Sequence, residues 1–134
     1  MTQEYKMLLI KDLSSRLPYA VHVQHISGVS GVLHDISIFH KYDKNDNIYD
    51  VICYTDLFKD GGSIGIEQFK PYLFPLSSMT EEQKQEYQYI TERWMYDSSY
   101  LISDSIDWLN KNHFDYRNLI DKNLAIDATG LNIY

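Results

Sequence analysis

The chain has 134 residues, 44% of them hydrophobic and 23% charged, which suits one globular domain with its own core and excludes a disordered chain. Its net charge is −7, with seven Lys/Arg against nine Asp/Glu in residues 1–76 and five against ten in residues 77–134. Such a surface repels a phosphate backbone, so a nucleic-acid partner is disfavoured, whereas a basic protein surface remains suitable.

A single cysteine, Cys53, excludes an intramolecular disulfide and a cysteine-based zinc cluster. In the apolar run VICY it reads as a small buried thiol. The opening MTQEYKMLLIKD holds an apolar run too short for a signal peptide or a membrane span, so the expected location is cytoplasmic. Twelve tyrosines make the chain tyrosine-rich. Tyrosine suits interfaces, but drift toward AT-rich codons would raise Asn, Ile, Lys and Tyr together, and composition does not separate the two.

Thr2 is placed to cap a first helix running to about Ser15, with Met7, Ile10, Leu13 and Leu17 as its apolar stripe and Pro18 as its stop. AVHVQHI (20–26) and GVLHDISIF (31–39) read as a hairpin joined by Ser27–Ser30 and centred near Val29–Ser30. After a polar loop at Asp43–Asn47, IYDVICYT (48–55) is apolar on both faces and is expected to be a central strand. A turn at Lys59–Ser63 leads to a fourth strand, Ser63–Tyr72, with Pro71 tolerated only at its end. The grammar then changes across KPYLFPLSSMTEEQ (70–83), where Thr80-x-x-Gln83 is a capping box opening a helical part. Three helices are expected there. The first runs from Glu81 to about Tyr96 on Tyr87, Ile90 and Trp94. The second starts near Ser103 or Asp104, with Ile106, Trp108 and Leu109. The third follows Asp115 with Leu119 and Ile120, closed by a left-handed Asn123 that brings Leu124 back to Leu119. Ile126–Tyr134 reads as a tail. The expected fold is α+β: an N-terminal helix, a small four-stranded antiparallel sheet or open barrel, and a C-terminal helical part of about three short helices packed on it. Residues 1–76 and 77–134 are its two halves within a single domain.

Four patterns invite chemistry. Gly61-Gly62-Ser63-Ile64-Gly65 fits a nucleophile elbow, but a turn precedes it, a strand follows, and the chain is too short for the parallel sheet such a serine needs. Asp43-x-Asn45-x-Asn47 opens like a calcium loop and fails at Ile48 and Tyr54, where glycine and an acid are required. His25 would face His34 across the expected hairpin, while His22 points to the other side and no third ligand is evident. Neither a catalytic residue, a cofactor-binding residue nor a metal ligand is therefore assigned, and no enzyme activity is expected. The connection His113-Phe114-Asp115-Tyr116-Arg117 gathers titratable groups, and His113, Asp115, Tyr116 and Arg117 form a possible interaction loop. Its structural alternative is Asp115 as an N-cap, Phe114 as a corner anchor and Arg117 in a local pair.

LLIKDLSSRLPYAV (8–21), KPYLFPLSSMTEEQK (70–84) and DWLNKNHFDYRNLIDKNLAID (107–127) resemble a family of small uncharacterised proteins of gut-anaerobe genomes and their phages and prophages. Its members usually carry glycine where this chain has Ala20 and Asn123, and they vary most over Gln24–Ser63. The resemblance implies a cytoplasmic accessory protein of mobile-element origin and carries no activity. A non-enzymatic protein-interaction module is the leading functional expectation. A small-molecule or nucleotide-binding sequestering protein and a structural or virion-associated protein are the alternatives.

Overall fold

A computed structural model describes residues 1–39, 50–56, 63–93 and 102–134. The polar loop at Asp43–Asn47, the Gly61–Gly62 turn, Trp94 and Tyr96 lie outside these residues. The chain is mixed α+β. Helix α1 (Gln3–Arg16) leads into β1 (His22–His25), β2 (Ser30–Phe39), β3 (Asp50–Thr55), β4 (Ser63–Gly65) and β5 (Phe69–Pro75). Helices α2 (Glu81–Arg93) and α3 (Ile102–Lys111) follow, with two-residue strands β6 (Phe114–Asp115) and β7 (Ile126–Asp127).

Among the described residues the sheet runs β4-β3-β2-β1-β5-β6, and β7 pairs with β5. The first five strands pair antiparallel, whereas β6 and β7 both lie parallel to β5. The sheet is thus mixed and larger than the expected four antiparallel strands. β3 lies inside the strand order as expected, but its described side chains do not bury both faces: Cys53 and Thr55 are buried and Tyr54 is exposed.

The expected fourth strand divides because a 3-10 turn, Ile66–Gln68, separates β4 from β5, with the Gly65 N–H donating to Gln68 Oε1 at 3.1 Å. Pro71 then sits inside β5, opposite Val23, instead of at a strand end. The Ile26 N–H donates to the Gln68 carbonyl (2.9 Å), which fixes the hydrogen-bonded positions at Gln68, Lys70 and Tyr72. Pro71 falls between them, so its missing N–H breaks no bond to β1, and β7 pairs only from Tyr72 onward.

Thr2 Oγ1 accepts the Tyr5 N–H at the start of α1. The Thr80–Gln83 capping box closes reciprocally, at 2.9 and 3.1 Å. Two apolar clusters result. The larger joins Leu9, Leu13, Val23, Phe69 and Leu73 to Leu119 and Leu124, and so draws on both halves of the chain. The smaller centres on Trp108, Leu109 and Phe114, with Tyr87 and Ile90 of α2 packed on it.

The segment after Asp115 is a run of turns, not the third helix that its apolar spacing suggests. Asn118 adopts φ 61°, a left-handed value that a helix does not accommodate. The Asp115 carboxylate instead takes the N–H groups of Leu119 and Ile120, each at 2.9 Å. The segment still closes as a helix end would. Asn123 has φ 58°, its N–H reaches the Ile120 carbonyl (2.9 Å), and the Leu124 N–H reaches that of Leu119 (2.8 Å).

Candidate functional site

Two places gather polar groups. The first is the seam between α1 and the connection after α3. One face of α1 presents Leu9, Asp12, Leu13 and Arg16 to the interior, and Asp12 and Arg16 are both 0% exposed. Arg16 donates from Nε to Asp12 Oδ2 (2.7 Å) and from Nη2 to Oδ1 (3.1 Å), the fork geometry that makes such pairs strong. The same Nη2 donates to the Phe114 carbonyl at 2.7 Å, tying the first helix to β6 across most of the sequence. Arg117 Nε lies 3.3 Å from Asp12 Oδ1 as a second ion pair, without hydrogen-bond alignment. Both guanidiniums stand over the Tyr116 ring, at 5.2 and 5.0 Å, and the Tyr116 hydroxyl donates to Asn110 Oδ1 at 2.9 Å.

His113 borders this network with a left-handed φ of 62° and stacks on Tyr134, their ring centroids 3.5 Å apart. Desolvation, helped by the nearby charges of Arg16 and His22, holds its imidazole down to about 4, so the ring is neutral at pH 7. The Tyr134 hydroxyl donates to the Tyr72 carbonyl (2.8 Å) and accepts the His22 N–H (3.0 Å). Burial dominates that hydroxyl's titration and pushes it up to about 12.

The structure therefore brings Tyr116 and Arg117 together around Asp12. It uses Asp115 as a backbone cap and sets His113 aside against Tyr134. Asp12 and Arg16 went unnoticed in the sequence. Their signal was an acid and an arginine four residues apart on the same helical face as Leu9 and Leu13.

The second place is the end of the β1–β2 hairpin. Gly28 has φ 92°, its N–H reaches the His25 carbonyl (2.8 Å), and the His25 N–H reaches that of Val29 (2.8 Å). His22 pairs with Val32 and Gln24 with Ser30, so the hairpin is centred on Ser27, earlier than the expected Val29–Ser30. The positive φ at Gly28 lets the chain turn at once. His25 consequently does not face His34, which instead lies 4.0 Å from Asp56. Among the described residues no three His, Cys, Asp or Glu side chains are grouped to hold a metal.

This tight turn leaves Ile26 76% and Val29 43% exposed. Beside it opens a cleft of about 470 Å³ lined by Ile26, Phe69, Leu124 and Ile126, with Glu67 and Lys70 among its polar groups. Its volume lies in the range of small-ligand pockets. Lys70 Nζ donates to Asn123 Oδ1 at 2.7 Å, and Glu67 lies 3.5 Å from Lys6.

Ser63 begins β4 at one end of the strand order and His113 precedes β6 at the other, so the strand order does not bring these two positions together. Cys53 is buried, and desolvation with the nearby Asp35 charge raises its thiol to about 12, far from a reactive thiolate. Among the described residues no helix is long and apolar enough to cross a membrane. No protein-family model, curated protein or solved structure matches the chain.

Proposed function

We propose that this chain is a non-enzymatic protein-interaction module that binds through the end of its β1–β2 hairpin. The observation that carries the reading is the exposure of Ile26 and Val29 in a turn where polar residues are the rule. Two β-branched apolar side chains held outward by a three-residue turn cost solubility and gain nothing for the core, whereas a partner's apolar surface would cover them. The tyrosines support the reading less than their number suggests. Tyr72, Tyr87 and Tyr116 are engaged within the fold, Tyr134 is hydrogen-bonded yet exposed, and Tyr54 and Tyr89 are exposed.

The buried seam of Asp12, Arg16 and Arg117 serves on this reading to hold the helix against the C-terminal connection. The acidic balance favours a partner with basic character around an apolar contact. Its resemblance to phage and prophage proteins supports an accessory role in a host cytoplasm.

Native mass spectrometry of the protein purified gently from its own cellular background tests this. The expected result is a stoichiometric added mass in the kilodalton range that disappears in Ile26→Asp while the fold survives. A bare monomer or symmetric oligomer would overturn the reading in favour of a structural or virion-associated role.

A further inference from the structure

We infer that the hairpin-end cleft binds a small amphipathic monocarboxylate, its apolar body lying along Ile26, Leu124 and Ile126 and its carboxylate on Lys70. The walls of the cleft are largely hydrocarbon, and its two oppositely charged side chains differ in their surroundings. Glu67 is paired with Lys6 at 3.5 Å. Lys70 is held by an uncharged amide, Asn123 Oδ1 at 2.7 Å, and among the described residues no carboxylate ion-pairs with it.

Asn123 is itself fixed by its left-handed turn and by the closing bonds from its own N–H and that of Leu124. The ammonium is therefore held in place by a neutral acceptor that leaves its charge and further N–H donors available. A carboxylate complements it by a charge-assisted hydrogen bond, and an apolar body accounts for the remaining lining. A highly charged nucleotide fits less well, since one lysine does not balance several phosphate charges. The inference shares Ile26 with the protein-interaction reading but is tested apart from it, because it concerns a ligand of a few hundred daltons bound by the chain alone.

Calorimetric titration of the purified chain with 4-phenylbutyrate, and with the isosteric neutral 4-phenylbutanamide, tests it. Saturable one-site binding of the acid is expected, with the amide about tenfold weaker. Lys70→Met should bring the acid down to the affinity of the amide without moving the amide. Equal binding of acid and amide, an unaltered Lys70→Met, or no saturable binding of the acid would overturn the inference. Should Lys70→Met fold poorly, amide-proton shifts of the unaltered chain decide: acid-dependent shifts at Lys70, Leu124 and Ile126 support the site, and shifts elsewhere refute it. Added mass in the kilodalton range is read in a separate experiment, so failure of either proposal leaves the other standing.

Discussion

Helices α1 and α2 look alike in the sequence, each with an apolar stripe and a capped start, yet they contribute to the fold in opposite ways. α1 buries Leu9, Ile10, Asp12, Leu13 and Arg16, whereas α2 has no fully buried residue among its thirteen. α1 lies in the main core and clasps the C-terminal connection through a buried guanidinium. α2 rests on α3 through rings, Tyr87 on Trp108 at 5.5 Å, and through Ile90. The difference teaches that amphipathic spacing does not show how much of the fold depends on a helix, and fixes its inward face only in part: Ile10 and Leu13 of the expected α1 stripe are buried, but Met7 is exposed and Asp12 and Arg16 turn inward. How much depends on it is decided by what waits on the other side, here two guanidiniums converging on one buried carboxylate.

The largest break should come at that carboxylate. Asp12→Ala leaves Arg16 buried without its counter-charge and should cost about 3–5 kcal/mol by denaturant unfolding. Asp12→Ala with Arg16→Met removes the stranded charge and should recover much of the loss. If the single and double variants are equally destabilised, the pair is not what holds the seam. A second break compares the helices directly. Leu13→Ala should cost about 2–5 kcal/mol and Ile90→Ala about 1, because only Leu13 leaves a closed cavity. Equal losses would mean that α2 is as deeply committed as α1.

Much of this was legible before the coordinates. The caps at Thr2 and Thr80 and the left-handed Asn123 follow from local chemistry, whereas β3 lies inside the strand order without the burial of both faces that its pattern implied. What the pattern missed was set by contacts distant in sequence. Pro71 reads as a strand end because the registers that spare its missing N–H depend on β1 and β7. The two-residue strands β6 and β7 have no periodicity to detect. The expected third helix failed because Asp115 caps the turn with its side chain and Asn118 turns left-handed, choices that Asn and Asp offer more readily than other residues. At the candidate site, His113, Asp115, Tyr116 and Arg117 were visible as a cluster, but the Asp12–Arg16 pair that organises two of them lies about a hundred residues away. The hairpin-end cleft is assembled from four separated segments and left no single motif.

A smaller effect sharpens the same seam through pH. The His113 imidazole has a folded value of about 4 against an ordinary 6.5, lowered first by desolvation, then by Arg16 and His22. Between those values the unfolded chain binds a proton that the folded chain refuses. The stabilisation is therefore fully present above pH 6.5 and is lost as pH falls toward 4. With discount for the partial exposure of the ring, the loss should be about 1–2 kcal/mol. His113→Asn, which tolerates the left-handed φ of 62°, should flatten that part of the stability–pH curve relative to the unaltered chain. Identical slopes for the two proteins would show that His113 is not the titrating group.

The smallest prediction uses two left-handed residues that solve the same problem unequally. Ala20 follows the turn after α1 with φ 53° and ψ 56°, and Asn123 ends the last turn with φ 58°. Alanine has no side chain able to compensate a left-handed backbone, which costs it about 1–2 kcal/mol, while glycine avoids that strain at the expense of a more disordered unfolded chain. Because Ala20 is exposed and loses no core contact, Ala20→Gly should gain about 0.5–1 kcal/mol in the unfolding free energy. Asn123→Gly should gain less or nothing: asparagine already tolerates the conformation, and its Oδ1 accepts from Lys70 at 2.7 Å. Equal gains at the two positions would mean that backbone strain alone sets both and that the Lys70–Asn123 bond contributes nothing to stability. A gain confined to Ala20 would separate a position that only turns the chain from one that also holds a charge in place.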